Sequence, residues 1–279
     1  MNEKIKNFAD SISPLIFLDF LFESRKNLTR LIIYFVISLG LIITVFFMQL
    51  SYSDSSRAGV INAFFIIICT SSALIGGTYS AASITSEKEK KTLTLLRMSG
   101  ISGVQIIIGK IVSGFIYMLA LSLPYLVLTL LLTLFGDFNF FRLAGGLFMW
   151  AGFTFFYLAA GVLISVLFKK NASANSFFYF SMFTLHFLIS LLDEWFYRPL
   201  YDYSSYKFFT NLSPIDVWVN FSSSHLYGST YYGNDGISSL FNGTVPDYAV
   251  ITLLYILFSI ILTLFAANIF EKYLRWRED

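Results

Sequence analysis

One cysteine, two histidines, five prolines and 13% charged residues are all this 279-residue chain carries of those types. The single thiol, Cys69, excludes an intrachain disulfide and a cysteine metal cluster. So little charge beside 56% hydrophobic residues excludes a disordered chain and argues against a soluble domain. No segment alternates as a membrane β-barrel strand does. Internal repeats and low-complexity tracts are missing too. The basic residues form only short juxtamembrane clusters, so nucleic acid is not an expected partner. The first apolar run begins too late and is too long for a cleavable signal peptide.

What the chain has is long uncharged apolar runs. A helix needs about 20 apolar residues to cross the hydrocarbon core. Six runs qualify: Leu31–Leu50, Gly59–Ser83, Ile111–Phe135, Leu143–Phe168, Ala172–Leu192 and Tyr248–Phe270. The net charge of +2 is uninformative, but its distribution is not. With the N-terminus in the cytoplasm, only Arg57, Arg142, Arg198 and Lys207 of the 19 Lys/Arg residues fall outside. That bias predicts a multi-pass protein of the cell membrane with both termini cytoplasmic.

The fold class expected is an all-α membrane protein of six transmembrane helices. Residues 1–30 precede the first span. Pro14 opens an apolar stretch broken by Asp19, Glu23, Arg25 and Lys26, which reads as an amphipathic elbow helix along the inner leaflet. Residues 31–279 form the six-span transmembrane domain, with a segment 84–104, a long outer loop 193–247 and a cytoplasmic tail 271–279. Phe208-Phe209 and Ile215–Val219 in that loop are too short to span and suit re-entrant or interfacial helices. Pro124 should kink the third span. Gly76-Gly77, Ser80-Ala81, Gly152 and Gly161 are small residues suited to close helix approach.

The segment Ser83–Lys110, SITSEKEKKTLTLLRMSGISGVQIIIGK, is the most distinctive. Ser86 and Glu89 have the spacing of a capping box, which predicts a helix starting there. Leu93 and Leu96 share one face of it, and Ser99-Gly100 would stop it. The wording resembles the permease subunits of ATP-binding-cassette transporters of the type-2 exporter family. The resemblance lies in Glu87-x-Glu89, Thr92-Leu93, Leu95-Leu96, Ser99 and Gly109-Lys110. The chain departs from the pattern at Lys91, where Gly is usual, at Thr94, where Glu is usual, and at Met98, where Pro is frequent. The resemblance implies a cytoplasmic coupling helix that grips a separate ATPase, with Glu87, Glu89, Thr92, Leu93, Leu95, Leu96, Arg97 and Ser99 as the coupling residues. It also implies a second permease subunit, either an identical copy or a paralogue. ATP and Mg would belong to the ATPase partner, with no cofactor in this chain and membrane lipid around it.

Other chemistry fits less well. Gly103 to Gly109-Lys110-Ile111 is one residue too long for a phosphate-binding loop and has Ile111 where Ser or Thr must hold magnesium. Asp193-Glu194-x-x-x-Arg198 and Phe221-x-x-x-His225 resemble two motifs of CAAX-protease-like intramembrane metallopeptidases. No histidine follows His225, so the third motif and its metal ligands are missing. A membrane scaffold without transport is a further alternative. His186, within the fifth run, is open to two readings: a translocation-path residue, or a neutral histidine bonded to a neighbouring helix. The 32 Phe and 17 Tyr would suit a hydrophobic or amphipathic substrate (lipid, peptide or drug), but also lipid contact and interfacial belts.

The charge bias yields a topology prediction. Single cysteines at Ser55, Tyr203 and Ser239 should react with an impermeant thiol reagent added outside intact cells, and one at Thr94 should not. External labelling at Thr94 would overturn the six-span topology.

Overall fold

An apolar segment inside a bilayer has no water for its amides, so it must satisfy them within its own helix. The computed structural model describes residue 40 and residues 54–93, 101–134, 140–192, 195 and 247–275. Every regular element among them is helical. Helix α1 (Asp54–Ser71) leads through a π-turn (Ser72–Gly76) into α2 (Gly77–Ser83) and the short α3 (Thr85–Glu89). Helix α4 is Gly103–Leu134, α5 is Phe140–Leu167, α6 is Asn171–Leu192 and α7 is Asp247–Arg275.

Among the described residues, four stretches are long and apolar enough to cross a membrane: Ala63–Glu89, Gly103–Leu130, Leu143–Leu167 and Ala249–Lys272. They correspond to the second, third, fourth and sixth apolar runs. The fifth run is helical too, as α6. The first run apart from Gly40, the elbow segment, residues 94–100 and nearly all of the outer loop lie outside the described residues. Pro124 sits within α4, which continues through it.

Helix α5 is the hub. Along one side it meets α7, where Gly152 lets Thr252 approach closely and Phe153 and Phe156 pack edge-on against Tyr255, with centroids 4.8 and 4.9 Å away. Along another it meets α2 at Gly161. A Cβ there would overlap Ser80 Oγ and lie 2.5 Å from the Gly77 carbonyl oxygen. Small residues matter here because helices in lipid gain little from burying apolar surface against one another. Their association rests on close van der Waals contact and interhelical hydrogen bonds.

The core forms two main layers. One gathers Phe64, Phe65, Met118, Tyr125, Trp150, Phe153 and Tyr157. The other, at the end bearing α3, gathers Ile84, Leu93, Ile106, Ile107, Val162 and Phe270. In the first layer Trp150 Nε1 donates to Ser72 Oγ (2.9 Å), which in turn donates to the Ile68 carbonyl (2.9 Å). The indole N–H thus finds an acceptor at the π-turn, where the Gly77 amide reaches back to the Ser72 carbonyl. The aromatics divide between two uses: Phe64, Phe153 and Phe178 are fully buried, while Phe180 and Phe183 of α6 and Phe265 of α7 face outward.

Gly161→Ala must therefore displace backbone and should destabilise the protein by about 2–3 kcal/mol. Gly76→Ala meets only the flexible Met118 side chain, at 3.0–3.1 Å, and should cost less than about 1 kcal/mol. Unfolding of the purified variants in micelles checks the order, and equal stability of the two would refute it.

Candidate functional site

Residues 84–93 end the second span and lead out of it, residues 101–110 lead into α4, and their geometry starts from a break in the helix. At Ile84 the ladder of α2 is interrupted. The amides of Ile84 and Thr85 both donate to Ser165 Oγ of α5, each at 2.9 Å in a buried setting. Ser83 Oγ and Thr85 Oγ1 turn back to the carbonyls of Ser80 (2.6 Å) and Ala81 (3.0 Å). Every polar group at the break is thereby answered, as burial requires.

Three consecutive charged residues follow, and each reaches a different helix. Glu87 Oε1 forms an ion pair with Lys110 Nζ of α4, and that lysine's side chain is only 6% exposed. Lys88 Nζ donates to the carbonyls of Ser165 (2.9 Å), Val166 (2.6 Å) and Phe168 (2.9 Å). Those carbonyls belong to the C-terminal end of α5, where acceptors lack helical partners and the dipole favours a cation. Glu89 Oε1 accepts from the Asn171 amide (2.8 Å), which opens α6, where the dipole favours an anion. Leu93 is buried beside Ile84, Ile106 and Ile107.

Helix α3 ends in a Schellman arrangement. The Thr92 amide donates to the Glu87 carbonyl (3.0 Å) and the Lys91 amide to the Lys88 carbonyl (3.2 Å). Lys91 occupies the left-handed position between them, with φ 58°. This explains why glycine is usual here in the resembling permeases: only glycine adopts that conformation without a Cβ penalty.

Two local expectations are corrected. A helix does begin near Ser86, at Thr85, but it is the five-residue tail of the second span and not the start of one running to Ser99. Ser86 does not cap it, and Ser86 Oγ instead donates to the Ser83 carbonyl (3.3 Å). The capping box lies at Ser102 and Gln105. There the Gln105 amide donates to Ser102 Oγ (3.3 Å) and the Ser102 amide to Gln105 Oε1 (2.9 Å). The third span accordingly begins ahead of Ile111, since α4 already begins at Gly103.

Of the residues singled out in the sequence, the structure brings Glu87, Glu89, Thr92 and Leu93 to one junction. Glu87, Glu89 and Leu93 turn toward the protein's own helices there. Leu95, Leu96, Arg97 and Ser99 lie outside the described residues, as do Asp193, Glu194, Arg198, Phe221 and His225. His186 stands in α6, with its side chain outside the described set. Lys88, Ser165 and Asn171 were missed by sequence reasoning. A lone Ser in an apolar run carries no sign of its two distant amide partners.

A helical bundle with four stretches able to cross a bilayer, whose charged connection is fastened to the neighbouring helices, defines a multi-pass membrane protein. The description of the matching family is ABC-2 family transporter protein; its model spans residues 38–270, and the chain belongs to that family. It is therefore an ABC transporter permease, the membrane component of transport. Permeases of this family associate in general with an ABC ATPase subunit. No curated protein matches the chain significantly.

The left-handed Lys91 makes a stability prediction. Lys91→Gly should stabilise the purified protein by about 0.5–1 kcal/mol relative to Lys91→Ala, which keeps the Cβ but loses the same side-chain contacts. Equal unfolding midpoints for the two variants would show that the backbone there is not strained.

Proposed function

We propose that this permease subunit forms the translocation path of an ATP-driven exporter, with a separate ABC ATPase docking on the segment 84–104. One observation carries the reading. The connection between the second and third spans is bonded to α4, α5 and α6 within three residues, Glu87 to Glu89. A partner that displaces this connection displaces several spans together. Glu87 and Glu89 then transmit force inside the permease, and contact with the ATPase falls to Thr92, Leu95, Leu96, Arg97 and Ser99.

The fuller architecture belongs to the same proposal. It has six spans in residues 31–279, an elbow helix within 1–30, an outer loop at 193–247 with elements dipping into the membrane, and a tail at 271–279. Both termini and the coupling segment are cytoplasmic, in the cell membrane. ATP and Mg are bound and used by the partner, and this chain catalyses no reaction. A second permease subunit, identical or paralogous, completes the path. The substrate class is hydrophobic or amphipathic, in keeping with the aromatic content of the spans, and His186 lines the path.

Co-purification tests the coupling. The tagged chain should recover its ATPase subunit, and Leu95→Asp with Leu96→Asp should lower that recovery at least about tenfold, the loss expected when two apolar anchors of a docked helix become charged. Membrane insertion should be unchanged. Undiminished recovery from a normally inserted double variant would reject this docking site.

A further inference from the structure

Lys90, Lys169 and Lys170 are exposed and gathered at one junction of two turns. Bonds on either side hold the turns together. Lys88 Nζ lies 2.9 Å from the Phe168 carbonyl and Glu89 Oε1 lies 2.8 Å from the Asn171 amide. Lys90 directly follows Glu89, and Lys169 and Lys170 are the two residues between Phe168 and Asn171. The neighbouring charges are already committed: Glu87 to Lys110, Lys88 to the end of α5, Glu89 to the start of α6. Among the described residues no carboxylate forms an ion pair with Lys90, Lys169 or Lys170. The junction therefore presents a net positive charge outward, its three lysines outweighing the exposed Glu89 carboxylate that is held on the Asn171 amide.

Its depth is set by apolar side chains on the same surface. Leu167, two residues before Lys169, is 54% exposed, and Phe177, two turns into α6, is 44% exposed with its ring 5.1 Å from that of Phe168. Exposed apolar groups on a membrane bundle belong in the hydrocarbon. The lysines start where that surface ends, which is headgroup level, and their long stems can reach along it while the ammonium groups stay in the polar layer. A soluble partner's surface would lie farther out.

We propose that Lys90, Lys169 and Lys170 form a binding site for the phosphate headgroup of an anionic phospholipid. The headgroup bridges the turn after the second span and the turn between the fourth and fifth runs, so it braces the junction alongside the bonds made by Lys88 and Glu89. The inference needs only that these helices cross a bilayer. Its failure and the failure of the ATPase reading are therefore separately visible.

The test uses the full chain in mixed micelles of phosphatidylglycerol and phosphatidylcholine, with retained lipid quantified by native mass spectrometry. The unaltered protein should retain phosphatidylglycerol preferentially. A lysine near an anionic headgroup contributes about fivefold in affinity, so Lys90→Gln, Lys169→Gln and Lys170→Gln combined should lower the preference at least about tenfold. The triple Arg variant should keep it. Lys272→Gln, an exposed lysine on α7 outside the junction, should keep it as well. Should the triple Gln variant not fold, Lys170→Glu alone must still reduce the preference. The proposal is overturned by an unchanged preference in the altered protein, by an equal loss in Lys272→Gln, or by displacement of the lipid with millimolar inorganic phosphate. Loss of ATPase co-purification with lipid preference intact would assign the patch to protein docking and overturn it too.

Discussion

The end of the bundle that bears α3 depends on a reciprocal exchange of hydrogen bonds between α5 and α3 with the break before it. Ser165 of α5 accepts the two amides freed by the break at Ile84. Lys88, four residues past that break, answers three carbonyls at the end of α5, including that of Ser165 itself. Each side supplies what the other lacks. Removing either partner leaves polar backbone groups without partners in an apolar setting, at about 1–3 kcal/mol for each orphaned group. The exchange also fixes where α3 lies, and with it the aim of Glu87 and Glu89.

That aim follows from helix geometry. Successive residues of a helix step by about 100°, so three in a row sweep roughly half of its circumference. In α3 those three directions are filled by Lys110 of α4, the end of α5 and the start of α6. Five residues of helix are enough to fasten a connection to three neighbours because nearly every side chain on them is used. The tight approaches at Gly77, Gly152 and Gly161 do similar work deeper in the bundle, without charge. The two sets differ in kind: glycine contacts act through distance alone, whereas the charged contacts are directional and fix the rotation of α3 as well.

The sequence revealed the spans it had the physics to reveal. The second, third, fourth and sixth uncharged runs match the four membrane-crossing stretches among the described residues to within a few residues at most ends. Two ends are exceptions: α4 begins at Gly103, ahead of Ile111, where the third run starts, and the second stretch runs past its expected end. The second span was expected to stop at Ser83, where charge begins, yet the helix carries on to Glu89 because its charges find partners on other helices. Which partners exist is a tertiary fact that a linear pattern does not contain. The capping box was misplaced for a related reason. Ser86-x-x-Glu89 and Ser102-x-x-Gln105 have the same spacing, and only the second is followed by an uninterrupted helix. The stop after Glu89 was hidden because lysine, not glycine, holds the left-handed position. The junction residues Lys88, Ser165 and Asn171 had no legible signal, since their roles come from distant backbone groups.

The order of signs in Glu87-Lys88-Glu89 has an electrostatic reason within this chain. The end of α5 presents bare carbonyls and the negative pole of its dipole, which calls for a cation. The start of α6 presents an amide and the positive pole, which calls for an anion. Lys110, buried in α4, requires an anion because an uncompensated charge there is costly. Negative, positive, negative is thus the one order in which each neighbour receives the sign it needs. Reversing any of the three would set like against like. The acidic pair that the sequence suggested for contact with a partner is accounted for by the permease's own helices. What remains at the surface of the same junction is basic: the outward character of this connection is set by the charges its interior did not consume.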